Sequence, residues 1–104
     1  MKAGTQHNSP VFEKIKRSLD PAYSYLIFEK AFSSLDSAVF QGLIDGITHL
    51  NSEIFDSKIY HDKNLGLSLL VVRIDPGRAD DVMQDVLNIG IPNDMIFYSY
   101  GSCI

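Results

Sequence analysis

Leu65-Gly66-Leu67-Ser68-Leu69-Leu70-Val71-Val72-Arg73-Ile74-Asp75-Pro76 is the most apolar stretch of the chain and ends on a helix-start signal. A run of β-branched and leucine residues that is apolar on both faces predicts a strand in the interior of a sheet, covered above and below. Asp75 and Pro76 then predict a helix amino terminus, with Asp75 as cap, Pro76 in the first turn, and Asp80 and Asp81 at the positive end of the helix dipole. The helix carries its apolar residues at Ala79, Val82, Met83, Val86, Leu87 and Ile89, and Gly90 stops it.

Working toward the amino terminus, His61-Asp62-Lys63-Asn64 predicts a hairpin turn, and roughly Glu53 to Tyr60 a preceding strand. A helix is predicted from about Leu35 to Leu50, introduced by the capping-box-like Ser33-x-x-Asp36. Val39, Phe40, Leu43, Ile44, Ile47 and Leu50 form its apolar stripe, and Ala38, Gly42 and Gly46 form a stripe of small residues beside it. Each mid-helix glycine costs roughly 1 kcal/mol relative to alanine, so the pair calls for a reason. Tyr23 to Phe32 predicts the first strand, with Leu26, Phe28 and Ala31 facing one way and Tyr23, Tyr25 and Ile27 the other. Ahead of it, Pro10 starts a short helix through Val11, Phe12, Ile15 and Leu19, capped by Ser9 and ended by Asp20-Pro21. Beyond the second long helix, the turn Ile91-Pro92-Asn93-Asp94 leads into a last strand, Met95 to Tyr100.

The resulting order is strand, helix, strand, strand, helix, strand. It predicts an α+β, ferredoxin-like split βαβ (βαββαβ) fold, with a four-stranded antiparallel sheet and a short N-terminal helix. The 104 residues make one domain, taken as 10–104, behind a polar segment 1–9 expected to be disordered.

Composition narrows the function classes. The formal net charge is −4, unevenly spread: residues 1–17 carry Lys2, Lys14, Lys16 and Arg17 against Glu13, and the acidic excess falls on the rest. An acidic body disfavours a free-standing nucleic-acid binder, and leaves Lys14, Lys16 and Arg17 as the candidates for RNA contact. The single cysteine, Cys103, excludes an intrachain disulfide and favours a reducing compartment. The first ten residues lack the apolar core of a secretory signal, and no apolar run approaches the ~20 residues of a membrane span.

No catalytic or metal-ligating pattern is legible. His7, His49 and His61 are scattered, and His61-Asp62 is too short a match to suggest a phosphohydrolase. No Ser/His/Asp or Cys/His arrangement is suggested, glycine-rich phosphate loops are absent, and no cofactor or metal is expected. The third strand has leucines where RNA-stacking folds place aromatic rings, so base stacking on the sheet is not expected. What remains are adhesive surfaces. Ala38, Gly42 and Gly46 on one helix and Met83 and Leu87 on the other are the candidate partner interface.

Over about residues 21 to 100, the chain resembles the small ferredoxin-like protein subunits of eukaryotic and archaeal ribonuclease P and ribonuclease MRP, in particular their accessory, less basic member. The likeness rests on Pro21-Ala22-Tyr23-Ser24-Tyr25 leading into the first strand. It continues through Leu35, Phe40, Leu43 and Ile44 on the following helix, and through a short acidic strand beside the long apolar one ending in Val71-Val72-Arg73-Ile74. The resemblance implies a non-catalytic scaffold subunit of a nuclear and nucleolar ribonucleoprotein whose catalytic centre belongs to RNA, supporting tRNA 5′-end and rRNA precursor processing. It implies protein partners, a more basic ferredoxin-like sibling and a barrel-like subunit, with indirect or limited RNA contact. The alternative is an oligomeric ferredoxin-like regulatory domain that binds a small ligand, for which the Pro92-Asn93-Asp94 turn is the nearest candidate element.

Overall fold

In the computed structural model, residues 10–49 and 54–101 are described. The expected disordered segment 1–9, the Ser9 cap, Leu50, Glu53 and Cys103 lie outside them. The elements are α1 (Pro10–Ile15), a 3-10 turn (Lys16–Ser18), β1 (Ser24–Ala31), α2 (Asp36–His49), β2 (Asp56–Asp62), β3 (Leu67–Ile74), a second 3-10 turn (Pro76–Arg78), α3 (Ala79–Ile89) and β4 (Met95–Gly101). The four strands form one antiparallel sheet in the order β2-β3-β1-β4. This is the ferredoxin-like α+β arrangement, and its two most apolar strands occupy the centre.

Strand parity divides the core into two layers. On one face Leu26 and Phe28 of β1, Leu70, Val72 and Ile74 of β3 and Met95 of β4 are buried under Phe40, Leu43 and Ile47 of α2 and Ala79, Val82 and Val86 of α3. Phe28 and Phe97 stack across the β1–β4 pair with centroids 4.8 Å apart. On the other face Tyr25, Ile27, Leu69 and Val71 are covered by Val11 and Phe12 of α1. Phe12 meets Tyr98 and Tyr100 edge-on, with centroids 5.8 Å and 5.0 Å away. The short amino-terminal helix is therefore the second layer of the domain. A six-residue helix has little stability of its own, and its burial on the sheet supplies what its length lacks.

Several boundaries move from the sequence-based expectation. The helix predicted through Leu19 gives way to the 3-10 turn at Lys16, and Leu19 packs from the loop that follows. The strand predicted to end at Tyr60 continues to Asp62, so His61 is a strand residue and the hairpin turn is shifted to residues 63–66. In β1, Ala31 does not share the Leu26–Phe28 face. Alternation puts Lys30 there, and Lys30 is buried. The Asp75 side chain accepts the Gly77 N–H at 2.9 Å, but it caps the 3-10 turn and α3 proper starts at Ala79. Gly90 has φ +93°, a value that side-chain-bearing residues avoid, and it ends α3 as expected.

Candidate functional site

Three regions gather the polar and adhesive side chains. The first is a buried polar cluster where the end of β1, the start of α2 and the β2–β3 hairpin meet. Half of the capping box forms: Ser33 N–H donates to Asp36 Oδ2 at 2.8 Å, while Ser33 Oγ accepts the Leu35 N–H at 3.2 Å and the Asp36 N–H goes to the Ser33 carbonyl. Asp36 does more than cap, because it is 1% exposed and also meets Lys30 and Ser68. Lys30 Nζ donates to Asp36 Oδ1 at 2.5 Å and to the Ala31 carbonyl at 2.8 Å. Ser68 Oγ donates to Asp36 Oδ2. Its own oxygen lies 3.0 Å from His61 Nδ1, which calls for the tautomer protonated at Nδ1. Burial pushes the Asp36 carboxyl up. The hydrogen bonds from Lys30, Ser68 and the Ser33 N–H, with the Lys30 charge, outweigh that and hold it below its ordinary 3.8.

This grouping of Ser, His and Asp was not legible in the sequence, where Lys30, Asp36, His61 and Ser68 belong to separate elements. Its order is also wrong for nucleophilic catalysis. A hydrolytic triad sets the imidazole between the hydroxyl and the carboxylate, so that the ring takes the hydroxyl proton. Here the serine sits between the ring and the carboxylate, with its hydroxyl donating to Asp36 and its side chain wholly buried. The cluster is a buried ion pair with its lone pairs satisfied, and His61 forms its outer edge. Such a network acts on the fold: it ties α2 to both central strands.

The second region is the helix layer. Ala38 and Gly42 are exposed on α2, and a Cβ on Gly42 would meet no atom within 4 Å. Gly46 differs, because a Cβ there would stand 3.2 Å from Ile89 Cδ1 of α3. The small stripe is thus split: Gly46 serves the contact between the two helices, and Ala38 and Gly42 face outward. On α3, Leu87 is 57% exposed and Met83 is half-buried against the core. The same helix carries Asp80, Asp81 and Asp85 and no basic residue.

The candidate RNA contacts prove largely engaged within the protein. Lys14 Nζ pairs with Asp62 Oδ2 at 2.9 Å, and Lys16 Nζ with Glu13 Oε1 at 3.1 Å, which leaves Arg17 exposed without an ion pair among the described residues. The Lys14 ammonium and the Leu65 N–H hold the Asp62 carboxyl below its ordinary value. The aromatic sheet face that could stack bases is occupied by Phe12 of α1.

The third region is a cleft of about 180 Å³ on that same sheet face, beyond the reach of α1. Ser18, Leu19 and Asp20 form one wall, and Tyr25, Val71 and Arg73 of the central strands and Asp56, Lys58 and Tyr60 of β2 complete it. Sequence reasoning missed it, because its residues come from three strands and a loop. The Pro92-Asn93-Asp94 turn does not contribute to it. Among the described residues, no group of three His, Cys, Asp or Glu side chains is placed to hold a metal ion, and no helix is long and apolar enough to cross a membrane.

No family model, curated protein or solved structure matches the chain.

Proposed function

We infer that this chain is a non-catalytic protein-binding module, with the scaffold-subunit role in ribonuclease P or ribonuclease MRP that its resemblance implies. The observation that carries the reading is the outer face of the helix layer. It holds the small residues Ala38 and Gly42, the exposed Leu87 and an acidic α3. A flat small-residue patch admits a close-packed partner, and an apolar anchor among carboxylates fits a basic protein surface. That description suits the more basic sibling subunit. The covered sheet face favours contact through proteins, with RNA reached indirectly. Supporting tRNA 5′-end and rRNA precursor processing in the nucleus and nucleolus is the role proposed for such a subunit.

The test is affinity purification of the tagged chain from native extract, with sequencing of bound RNA. Recovery of the ribonuclease P or MRP RNA, lost with Leu87→Asp and with Gly42→Leu, is the expected result. Gly46→Leu is unsuitable, because it would disturb the α2–α3 contact within the domain. Retention of the complex by both outward-facing variants would remove the interface, and absence of these RNAs would remove the subunit reading.

One observation favours a second reading, a regulatory domain that binds a small ligand. The polar cleft beside the Lys16–Ser18 turn lies within a single chain.

A further inference from the structure

The cleft has a definite construction. Its floor is Tyr25 and Val71, with Arg73 directly opposite Tyr25 in the β1–β3 register and opposite Asp56 in the β2–β3 register. Lys58 and Tyr60 point to the same face from the edge strand. The loop wall is pinned by Tyr25, whose hydroxyl donates to the Asp20 carbonyl at 3.1 Å and accepts the Asp20 N–H at 2.7 Å. Asp20 Oδ1 in turn accepts the Ala22 N–H at 2.9 Å. The wall is thus held in place before any ligand arrives.

Its charges are incompletely matched. The Arg73 guanidinium lies over the Tyr23 ring at 4.7 Å, and its Nη2 is 3.9 Å from Asp56 Oδ2, outside hydrogen-bond range. Arg73 Nε is buried and has no hydrogen-bond partner. That atom is shut off from the cleft, so an incoming carboxylate meets the exposed part of the guanidinium, whose side chain is 34% exposed overall. Lys58 and Asp20 make no ion pair among the described residues. The cleft therefore presents two cations on the strand side, partly offset by Asp56, and one carboxylate on the loop side.

We propose that this cleft binds a small zwitterion, an α-amino acid whose carboxylate is taken by Arg73 and Lys58 and whose ammonium group is taken by Asp20. The volume, below the roughly 300–1,000 Å³ of pockets for drug-sized ligands, suits a molecule of that size. Phosphate suits it poorly, because Asp20 and Asp56 oppose a second negative charge. This site is on the opposite side of the sheet from the helix face of the docking reading, and neither depends on the other. It gives a ligand class to the regulatory-domain reading.

The test is calorimetric titration of the purified full chain with L-alanine and L-serine, and with acetate, methylammonium and inorganic phosphate for comparison. Saturable binding of the amino acids, with the three comparators weaker by about tenfold or more, is expected. Asp20→Asn keeps a carbonyl for the Ala22 N–H, so the loop survives while the charge is lost, and affinity falls about tenfold. Arg73→Gln abolishes binding, with folding checked by circular dichroism. Lys63→Gln, outside the cleft, leaves affinity unchanged. Failure of both amino acids to bind, phosphate or acetate binding as tightly, or full affinity in Asp20→Asn would each overturn the proposal.

Discussion

Replacing Asp36 by alanine tests the buried polar cluster most directly. The carboxylate is 1% exposed, and it is the acceptor for Lys30, for Ser68 and for the Ser33 N–H. Removing it leaves the Lys30 ammonium, itself 9% exposed, in the interior with only the Ala31 carbonyl at 2.8 Å. Breaking a buried pair from one side costs about 3–5 kcal/mol, because the stranded charge keeps its desolvation penalty. Against a typical domain stability of about 5–15 kcal/mol, that is a large share. For a domain of this size, each kcal/mol corresponds to about 4–8 °C, so the midpoint should fall by about 12–40 °C. The paired variant Lys30→Met/Asp36→Leu removes both charges. It should regain about half of the loss or more, the remainder reflecting the Ser68 hydroxyl and Ser33 N–H left without their acceptor. Acid adds a second signature. The Asp36 carboxyl lies below its ordinary 3.8, so its contribution is present in full above that value. It is lost as pH falls through the lower folded value, and the paired variant should lack this part of the acid sensitivity. Urea melts across pH 2 to 7 read all three quantities. A loss below about 1 kcal/mol in Asp36→Ala, or a paired variant no more stable than the single one, would refute the account of a satisfied buried pair.

The other expectations concern backbone and packing. Gly42→Ala should stabilise the protein by about 1 kcal/mol in thermal denaturation, since the methyl group meets nothing and the helix gains propensity. Gly101→Ala should cost about 2 kcal/mol or more, because its Cβ would stand 2.7 Å from Ser24 Cα and 2.8 Å from the Tyr23 carbonyl at a φ of +142°; chemical denaturation measures it. Phe12→Ala should cost about 3–5 kcal/mol and raise binding of a hydrophobic dye, since it strips α1 from Tyr98 and Tyr100 and uncovers the second layer.

Much of the architecture could be read along the chain. The apolar run through Val71 and Val72 announced a central strand, the 3.6-residue spacing of Phe40, Leu43 and Ile47 a helix, and Asp75-Pro76 a helix start; each of these is local chemistry acting within a few residues. Alternation in β1 separated Leu26 and Phe28 from Tyr25 and Ile27, but Lys30 was hidden by its charge, since a lysine on an apolar face has no periodic signature. The small stripe was visible, and its division was not: Ala38 and Gly42 look the same as Gly46 until Ile89 is seen against one of them.

Order and facing of the elements thus lie in the residue pattern itself, because backbone preference and hydrophobic period act over one or two turns of chain. The meeting of Lys30 and Asp36 with Ser68 and His61, and the placing of Asp20, Lys58 and Arg73 around one cleft, came from folding alone. Those groups are brought together by strand order and register, and polar partnership across a sheet depends on which residues end up opposite one another.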